Sequence, residues 1–265
     1  MPNKLIICGD SFNIGIGCRD LTIEPYGVLL ANVLDRKLVN LAKGSSTNLS
    51  IYLQVEYAVK KIANEDDIVL VSHTSYDRVD WFPLDYEFGH EITNVDVNYH
   101  QYPPYGPETY HQVLEHPMYD DPDYKGGMFT DNFMGVIDYW ETFRKDNKYS
   151  GYYARFHNEP KERMKTLYDF ATTIHDPRIN RLHSIGVMTM AHQILKKNNI
   201  KHLMLTQEPN EYANFMDKEN LVELSWGELS IEFPDDLPSY HTSSKGHIKA
   251  HDIVLNKLKE NGWHE

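Results

Sequence analysis

The sequence has only two cysteines, Cys8 and Cys18, and no apolar run long enough to cross a membrane. Two cysteines cannot build a disulfide framework, and neither belongs to a Cys-x-x-Cys pair or to an array with zinc-ligand spacing. A transmembrane helix needs about 20 consecutive apolar residues, and residues 1–4 lead into a short apolar segment without a secretory signal pattern. We therefore expect no metal, no signal peptide and no transmembrane segment, and a protein of the reducing cytoplasm or of a virion.

Basic residues are also scarce, since 26 Lys and Arg stand against 39 Asp and Glu, a net charge of −13. This charge repels phosphate backbones and anionic lipid, so neither nucleic acid nor a membrane is expected as a partner. Tyrosine is abundant instead, with 18 residues in the chain and heavy use between Tyr76 and Tyr168. A flat ring with a hydroxyl suits a packed loop layer, the commoner case, and equally a carbohydrate surface.

Short apolar runs alternate with helical patterns over most of the chain. Runs typical of buried strands occupy residues 4–8, 38–41, 68–71, 202–206 and 221–224. Apolar residues at helical spacing occupy residues 25–34, 48–64, 178–198 and 244–261. This alternation predicts an α/β fold, a three-layer αβα sandwich whose central parallel sheet has about five strands.

One long segment interrupts the alternation. From residue 80 to residue 176 the periodicity gives way to Pro, Gly, Asp and Tyr. A structureless loop of this length is uncommon in a compact domain, which favours an insertion with its own local packing. We therefore predict a single domain over residues 1–265, with an aromatic-rich insertion, residues 80–176, between the third strand and the helix before the fourth strand.

Residues able to carry chemistry follow the predicted strands or open the last helix. Asp10 and Ser11 follow the first strand, and a loop of small residues, 40–48, follows the second. His241 begins the last helix, after the acidic pair at 235–236. A serine nucleophile needs an imidazole to take its proton, and the imidazole needs an acceptor that fixes its tautomer. The parallel sheet predicts that these groups meet at one edge, although each of the loop motifs is also typical of a helix cap.

The order Gly9-Asp10-Ser11-Phe12, then a small-residue block, then a late His-x-x-x-x-Gly-His at 241–247 resembles the SGNH (GDSL) hydrolase family. The resemblance covers residues 3–78 and 200–261 and implies a flavodoxin-like strand order. It implies that Ser11 is the nucleophile and His241 the base, with no metal or organic cofactor. It also implies an oxyanion hole that includes the backbone N–H of Ser11 and that of Gly44 or Ser45.

The third sequence block of the family, which follows the third strand, differs in this chain. Tyr76 stands where the family has an asparagine that donates to the oxyanion, whereas Asp77 matches the family pattern. We expect His73, Thr74 or Ser75 to supply a donor instead. Loss of one such donor typically costs ~10²–10³ in rate, so the difference bears on how fast the site works.

The last block differs as well, because Pro238 stands three residues before His241, where the family has an aspartate. Asp236, or a backbone carbonyl in its place, is expected to orient the imidazole. Three other residues are assigned a substrate-binding or a structural role: Asp10, Asn48 and His73. Arg78 and Asp77 follow the third strand; the Arg78 guanidinium favours a carboxylate, with an internal salt bridge expected before a substrate.

The residues and the resemblance together favour an ester hydrolase. Acetyl groups on a carbohydrate, or another small acyl ester, are the expected substrate class, since the aromatic insertion suits a sugar surface. Two other functions are compatible with the same residues. One is an SGNH-like protein with weakened catalysis that serves as a binding or structural component of a viral or surface assembly. The other is an acyltransferase on the same fold.

Overall fold

The computed structural model describes residues 3–44, 46–76, 78–81, 129–132, 165–166, 168–235 and 241–264. Contacts divide the chain into two units, Met1–Ser75 together with His183–Glu265, and Tyr76–Leu182. Most of the predicted insertion lies outside the described residues. The division into one domain with an insertion at residues 80–176 stays a prediction.

The described strands form one parallel sheet and one antiparallel pair. In chain order they are β1 Lys4–Cys8, β2 Lys37–Asn40, β3 Ile68–Ser72, β4 Arg78–Trp81, β5 Phe129–Asn132, β6 Lys201–Thr206 and β7 Leu221–Glu223. The central sheet has the order β2-β1-β3-β6-β7 and every neighbouring pair in it is parallel. Strands β4 and β5, in the second unit, pair antiparallel. The predicted α/β class, the five parallel strands and the flavodoxin-like order are confirmed.

The α-helices of the described residues connect these strands. They are α1 Ser11–Ile14, α2 Tyr26–Val33, α3 Asn48–Tyr57, α4 Pro177–Lys197, α5 Pro209–Tyr212, α6 Trp226–Glu232 and α7 Ser244–Glu260. Helix α3 begins where Thr47 accepts a hydrogen bond from the Ser50 N–H at 3.0 Å, and it ends in a π turn, Ala58–Ile62. None of the helices described here has the length and apolar character that a membrane crossing requires.

The core consists of two apolar layers, one on each face of the sheet. Because side chains alternate along a strand, Leu5 and Ile7 of β1 face the layer that contains α2, α6 and α7. Ile6 and Cys8 point to the opposite face and are equally buried. Helix α3 contacts β1 and β3, and α4 reaches β6 where His192 meets His202. With helices on both faces, the loops that follow the strands converge at the carboxyl edge of the sheet.

Candidate active site

Ser11 lies where β1 gives way to α1. Asp10 is the N-cap of this helix, with extended backbone at φ −113° and ψ −155°, and its carboxylate accepts a hydrogen bond from the Phe12 N–H at 3.1 Å. A Cβ at Gly9 would come within 2.3 Å of the Asn13 side-chain nitrogen, so the turn has no room for a side chain there. The turn therefore presents Ser11 as the first helical residue, at the carboxyl edge of the sheet.

Ser11 and His241 are in direct contact. The Nε2 atom of His241 lies 2.8 Å from the Oγ atom of Ser11, a hydrogen-bond distance. Ser11 is buried and His241 is half-buried. With its lone pair on Nε2, a neutral imidazole accepts the hydroxyl proton, which is the relationship that a serine nucleophile and its base require. The structure brings together the two residues that the sequence singled out for these roles.

A stack of aromatic rings supports the imidazole. The ring centroid of Phe12 lies 4.7 Å from that of His241 and 5.4 Å from that of Trp226, with the Phe12 and Trp226 rings nearly parallel. Trp226 is buried, and its Nε1–H donates to the Oγ atom of Ser72 at 3.0 Å. Since Ser72 ends β3, the stack connects the imidazole to the sheet. Sequence reasoning assigned no role to Phe12 or Trp226.

The backbone at His241 pairs with the chain that follows α6. The Asp235 N–H donates to the His241 carbonyl at 3.2 Å, and the residues next to them form an antiparallel bridge. Directly opposite residues of an antiparallel pair project to the same side. The Asp235 side chain therefore begins on the same side of the pair as the imidazole. Asp236, predicted to orient His241, lies outside the described residues.

A tight contact between Gly17 and Thr242 also holds the His241 segment. Gly17 has φ +102°, a conformation that glycine adopts readily. A Cβ at this position would come within 2.1 Å of the Thr242 carbonyl oxygen. Thr242 is fully buried, and its hydroxyl lies 3.0 Å from the carbonyls of both Leu229 and Phe233. His241 thus directly precedes a residue that is held by close packing.

The loop after β2 runs beside the Ser11 turn. The Lys43 N–H donates to the Gly9 carbonyl at 3.2 Å, which places the next residue, Gly44, near the start of α1. In the part of the chain that the structure describes, neither the Ser11 N–H nor the Gly44 N–H has a hydrogen-bond acceptor. Unpaired backbone donors of this kind can stabilise the negative charge of an oxyanion. Ser45, the alternative donor, lies outside the described residues.

The segment after β3 contacts Asp10 and α3. The Thr74 hydroxyl donates to the Asp10 carboxylate at 2.8 Å. The backbone N–H and carbonyl of Thr74 both bond to the side-chain amide of Asn48, at 3.0 Å each. The Thr74 hydroxyl proton and the Asn48 amide are therefore used in hydrogen bonds within the protein. Of the two roles expected for Asp10 and Asn48, these contacts correspond to the structural one. Ser75, the neighbouring candidate donor, is exposed.

His73 is a neutral residue at the same edge. Burial lowers the pKa of its imidazole to about 3, and the ring meets Tyr212 edge-on with centroids 4.6 Å apart. Among the described residues, neither ring nitrogen has a hydrogen-bond partner. A neutral imidazole offers one N–H donor, which is the property expected of His73 from the sequence. Asp77 lies outside the described residues, and Arg78 is the first residue of β4 in the second unit.

Gln54 contacts the turn that carries Ser11 and was missed by sequence reasoning. Its Oε1 accepts from the Gly9 N–H at 2.7 Å, while its Nε2 donates to the Gly9 carbonyl at 3.1 Å and to the Ser46 hydroxyl at 3.2 Å. A signal was present in the sequence, because Gln54 shares a helical face with Ile51 and Ala58, which are both buried. A polar residue on an apolar stripe indicates a buried hydrogen-bonding role.

Within the described ranges, no group of three or more His, Cys, Asp or Glu side chains is arranged to hold a metal ion. A comparison of the sequence with protein-family models finds no match, and a comparison with curated proteins finds none. The geometry at Ser11 and His241 is therefore the ground on which a function is inferred.

Proposed function

We propose that the chain is a serine hydrolase of the SGNH type that cleaves esters of small acyl groups. The 2.8 Å contact between Ser11 Oγ and His241 Nε2 is the observation that carries the proposal. It occurs at the carboxyl edge of a parallel sheet, where α/β enzymes place their sites. A hydroxyl that is only capping a helix has no need of an imidazole from a segment 230 residues away.

The first half of the reaction forms an acyl-enzyme. Ser11 Oγ bonds to the ester carbonyl carbon while its proton passes to His241 Nε2, and the carbonyl electron pair moves to the oxygen. The N–H groups of Ser11 and of Gly44 or Ser45 donate to this oxyanion. When the carbonyl re-forms, the bond to the alcohol breaks, and the departing alcohol oxygen takes the proton from His241.

Water completes the reaction by the same steps. Its oxygen bonds to the acyl carbon as one of its protons passes to His241 Nε2, and the oxyanion forms again between the same donors. Collapse breaks the bond to Ser11, which recovers its proton from His241, and the carboxylic acid leaves. His241 must keep one tautomer throughout, and we assign its orientation to Asp236 or to a backbone carbonyl, as the sequence suggested.

Acetylated carbohydrate is the substrate class that we favour, with other small acyl esters next. The support is compositional, since tyrosine-rich segments suit sugar rings. The catalytic machinery requires only a carbonyl carbon and an alcohol leaving group. Transfer of the acyl group to an alcohol other than water uses the same residues, so an acyltransferase is the closest alternative.

The competing function is a binding or structural protein that keeps the fold with little catalysis. Its support is the third block, where Tyr76 replaces the asparagine and the Thr74 hydroxyl is engaged by Asp10. Assays of ester hydrolysis and of the Ser11→Ala variant separate the two functions, because a binding protein neither turns over esters nor needs Ser11 for its interactions.

Purified protein should hydrolyse p-nitrophenyl acetate and release acetate from acetylated xylan or acetylated glucosamine oligomers. The Ser11→Ala variant should lose this activity by at least about 10³-fold, and a fluorophosphonate should label Ser11 in the parent protein alone. Ser230→Ala, which alters a partly exposed serine of α6, is the matched control and should retain full activity. Absence of both turnover and labelling in a folded sample contradicts the proposal.

A further inference from the structure

Helix α3 carries two side-chain amides that each form hydrogen bonds with the main chain just after a central strand. One is Gln54, which bonds to Gly9 after β1, and the other is Asn48, which bonds to Thr74 after β3. Both amide side chains are buried, at 2% and 3% relative exposure. Here these two sets of contacts are called the amide clamps.

Each clamp reproduces the hydrogen bonds of a neighbouring strand. A primary amide has one acceptor and a donor side by side, so it can satisfy the N–H and the carbonyl of one residue together. Gln54 does this for Gly9 at 2.7 and 3.1 Å, and Asn48 does it for Thr74 at 3.0 and 3.0 Å. The Gly9 carbonyl also accepts from the Lys43 N–H. The Gly9 N–H and the two Thr74 groups, left unpaired in the interior, would each cost about 1–3 kcal/mol.

The clamps also connect the loops that supply the site. Gln54 donates a further bond to the Ser46 hydroxyl at 3.2 Å, and this serine belongs to the loop that contains Gly44. Thr74, held by Asn48, donates to Asp10, the residue before Ser11. One helix therefore contacts all three segments that follow β1, β2 and β3. Displacement of any segment by about 1 Å is enough to cost ~10² in rate at an enzyme site.

We infer that Gln54 and Asn48 are positioning residues, which hold the main chain at Gly9 and Thr74 so that Ser11 and the Gly44 loop keep a fixed separation. The inference rests on the proposed function for its catalytic consequence, while the contacts themselves are independent of it. Among the residues that the structure describes, neither Gln54 nor Asn48 forms a hydrogen bond with Ser11 or His241. Their effect is on the oxyanion donors and therefore on the transition state.

The test uses variants that keep the shape of each side chain and variants that remove it. Gln54→Glu and Asn48→Asp replace the donor nitrogen by oxygen, and Gln54→Ala and Asn48→Ala delete the clamps. Glu56→Gln is the matched control and replaces a carboxylate by an amide on the same helix. The ion pair of Glu56 with Lys60 is partly exposed. Thermal melting selects the variants that remain folded at the assay temperature.

We expect kcat to fall about 10- to 100-fold in the clamp variants with KM changed by less than about threefold, because the oxyanion donors act in the transition state. Amide hydrogen exchange, followed by NMR, should accelerate at least about tenfold at Gly9 in Gln54→Ala and at Thr74 in Asn48→Ala. Each variant should leave the other amide unchanged. Glu56→Gln should match the wild type in both measurements.

The inference is overturned if folded clamp variants exchange at the wild-type rate, or if exchange accelerates while kcat stays unchanged. Failure of the hydrolase proposal has a different signature, since the wild-type protein then shows neither turnover nor labelling of Ser11. In that case the exchange rates at Gly9 and Thr74, with the amide chemical shifts of Ser11 and Gly44 in each variant, decide whether the clamps position this turn.

Discussion

His241 Nε2 lies 2.8 Å from Ser11 Oγ, although 230 residues of sequence separate them. The contact joins the turn after the first strand to the segment before the last helix. Phe12, next to the serine, packs against the same imidazole at 4.7 Å between ring centroids. Ser11 and His241 are therefore positioned against one another by the first turn of α1 as well as by the hydrogen bond.

Replacement of His241 by Ala should lower kcat/KM for aryl acetates by at least about 10³-fold, because Ser11 then has no group to take its proton. Labelling of Ser11 by a fluorophosphonate should slow in parallel. His183→Ala, at an exposed histidine of α4, is the control and should leave both rates unchanged. A His241→Ala variant that keeps the wild-type rate would show that another group activates Ser11.

The orientation of His241 can be assigned by comparing two neighbouring aspartates. Asp235 lies opposite His241 in the backbone pairing, whereas Asp236 is the residue that the sequence favours. We expect Asp236→Asn to lower kcat about 10²–10⁴-fold, since an amide no longer stabilises the imidazolium, and Asp235→Asn to change it by less than about fivefold. The reverse pattern assigns the role to Asp235. If neither variant changes kcat, a backbone carbonyl holds the imidazole, the alternative that the sequence left open.

Two glycines near the site should respond differently to alanine. Gly17→Ala places a Cβ within 2.1 Å of the Thr242 carbonyl, at a positive φ, so it should destabilise the protein by about 2 kcal/mol or more and lower activity through the His241 segment. Gly44→Ala meets nothing within 4 Å and keeps the backbone N–H, so kcat should stay within about threefold of wild type. Urea unfolding and steady-state kinetics check both outcomes. A large loss of kcat in a stable Gly44→Ala variant would argue against a purely backbone role.

A buried pair of histidines predicts how stability changes with pH. His202 Nδ1 lies 2.7 Å from the Ile200 carbonyl and therefore donates to it, which leaves His202 Nε2 to accept from His192 Nδ1 at 2.8 Å. The Asp217 N–H lies 3.4 Å from His192 Nε2. Both rings are then neutral. Burial is the largest cause that lowers both pKa values, that of His202 to about 4.

Because the unfolded histidines titrate near pH 6.5, the unfolded chain binds protons as the pH falls through this value. Native His202 does so only near pH 4, and the pKa of native His192 is also below its unfolded value. The free energy of unfolding should therefore fall as the pH is lowered from 7 to 5, by roughly 1.4 kcal/mol per pH unit for each such histidine at most. Urea unfolding at pH 7.5, 6.0 and 5.0 measures this slope. His202→Gln should be less stable at pH 7.5 and have a shallower slope. An unchanged slope in this variant would mean that the pair does not contribute to it.

Local sequence patterns were sufficient for much of the fold. The predicted strand at 4–8 matches β1, and that at 68–71 differs from β3, Ile68–Ser72, by one residue. Such agreement is expected, because apolar runs and helical spacing depend on neighbours along the chain. The helix predicted over 48–64 differs more, since the α-helical part ends at Tyr57 and is followed by one turn of π-helix, Ala58–Ile62. Apolar spacing does not distinguish these two forms of helix.

What the sequence determined by itself is the α/β class, the places of the central strands, and the position of Ser11 directly after the first of them. Only the tertiary structure decided which polar groups meet: that His241 reaches Ser11, that Thr74 donates to Asp10, and that Gln54 grips Gly9. The physical reason is that a hydrogen bond forms only when the separation of donor and acceptor is correct to within a few tenths of an ångström. For groups far apart in sequence, those separations are set by the packing of whole strands and helices.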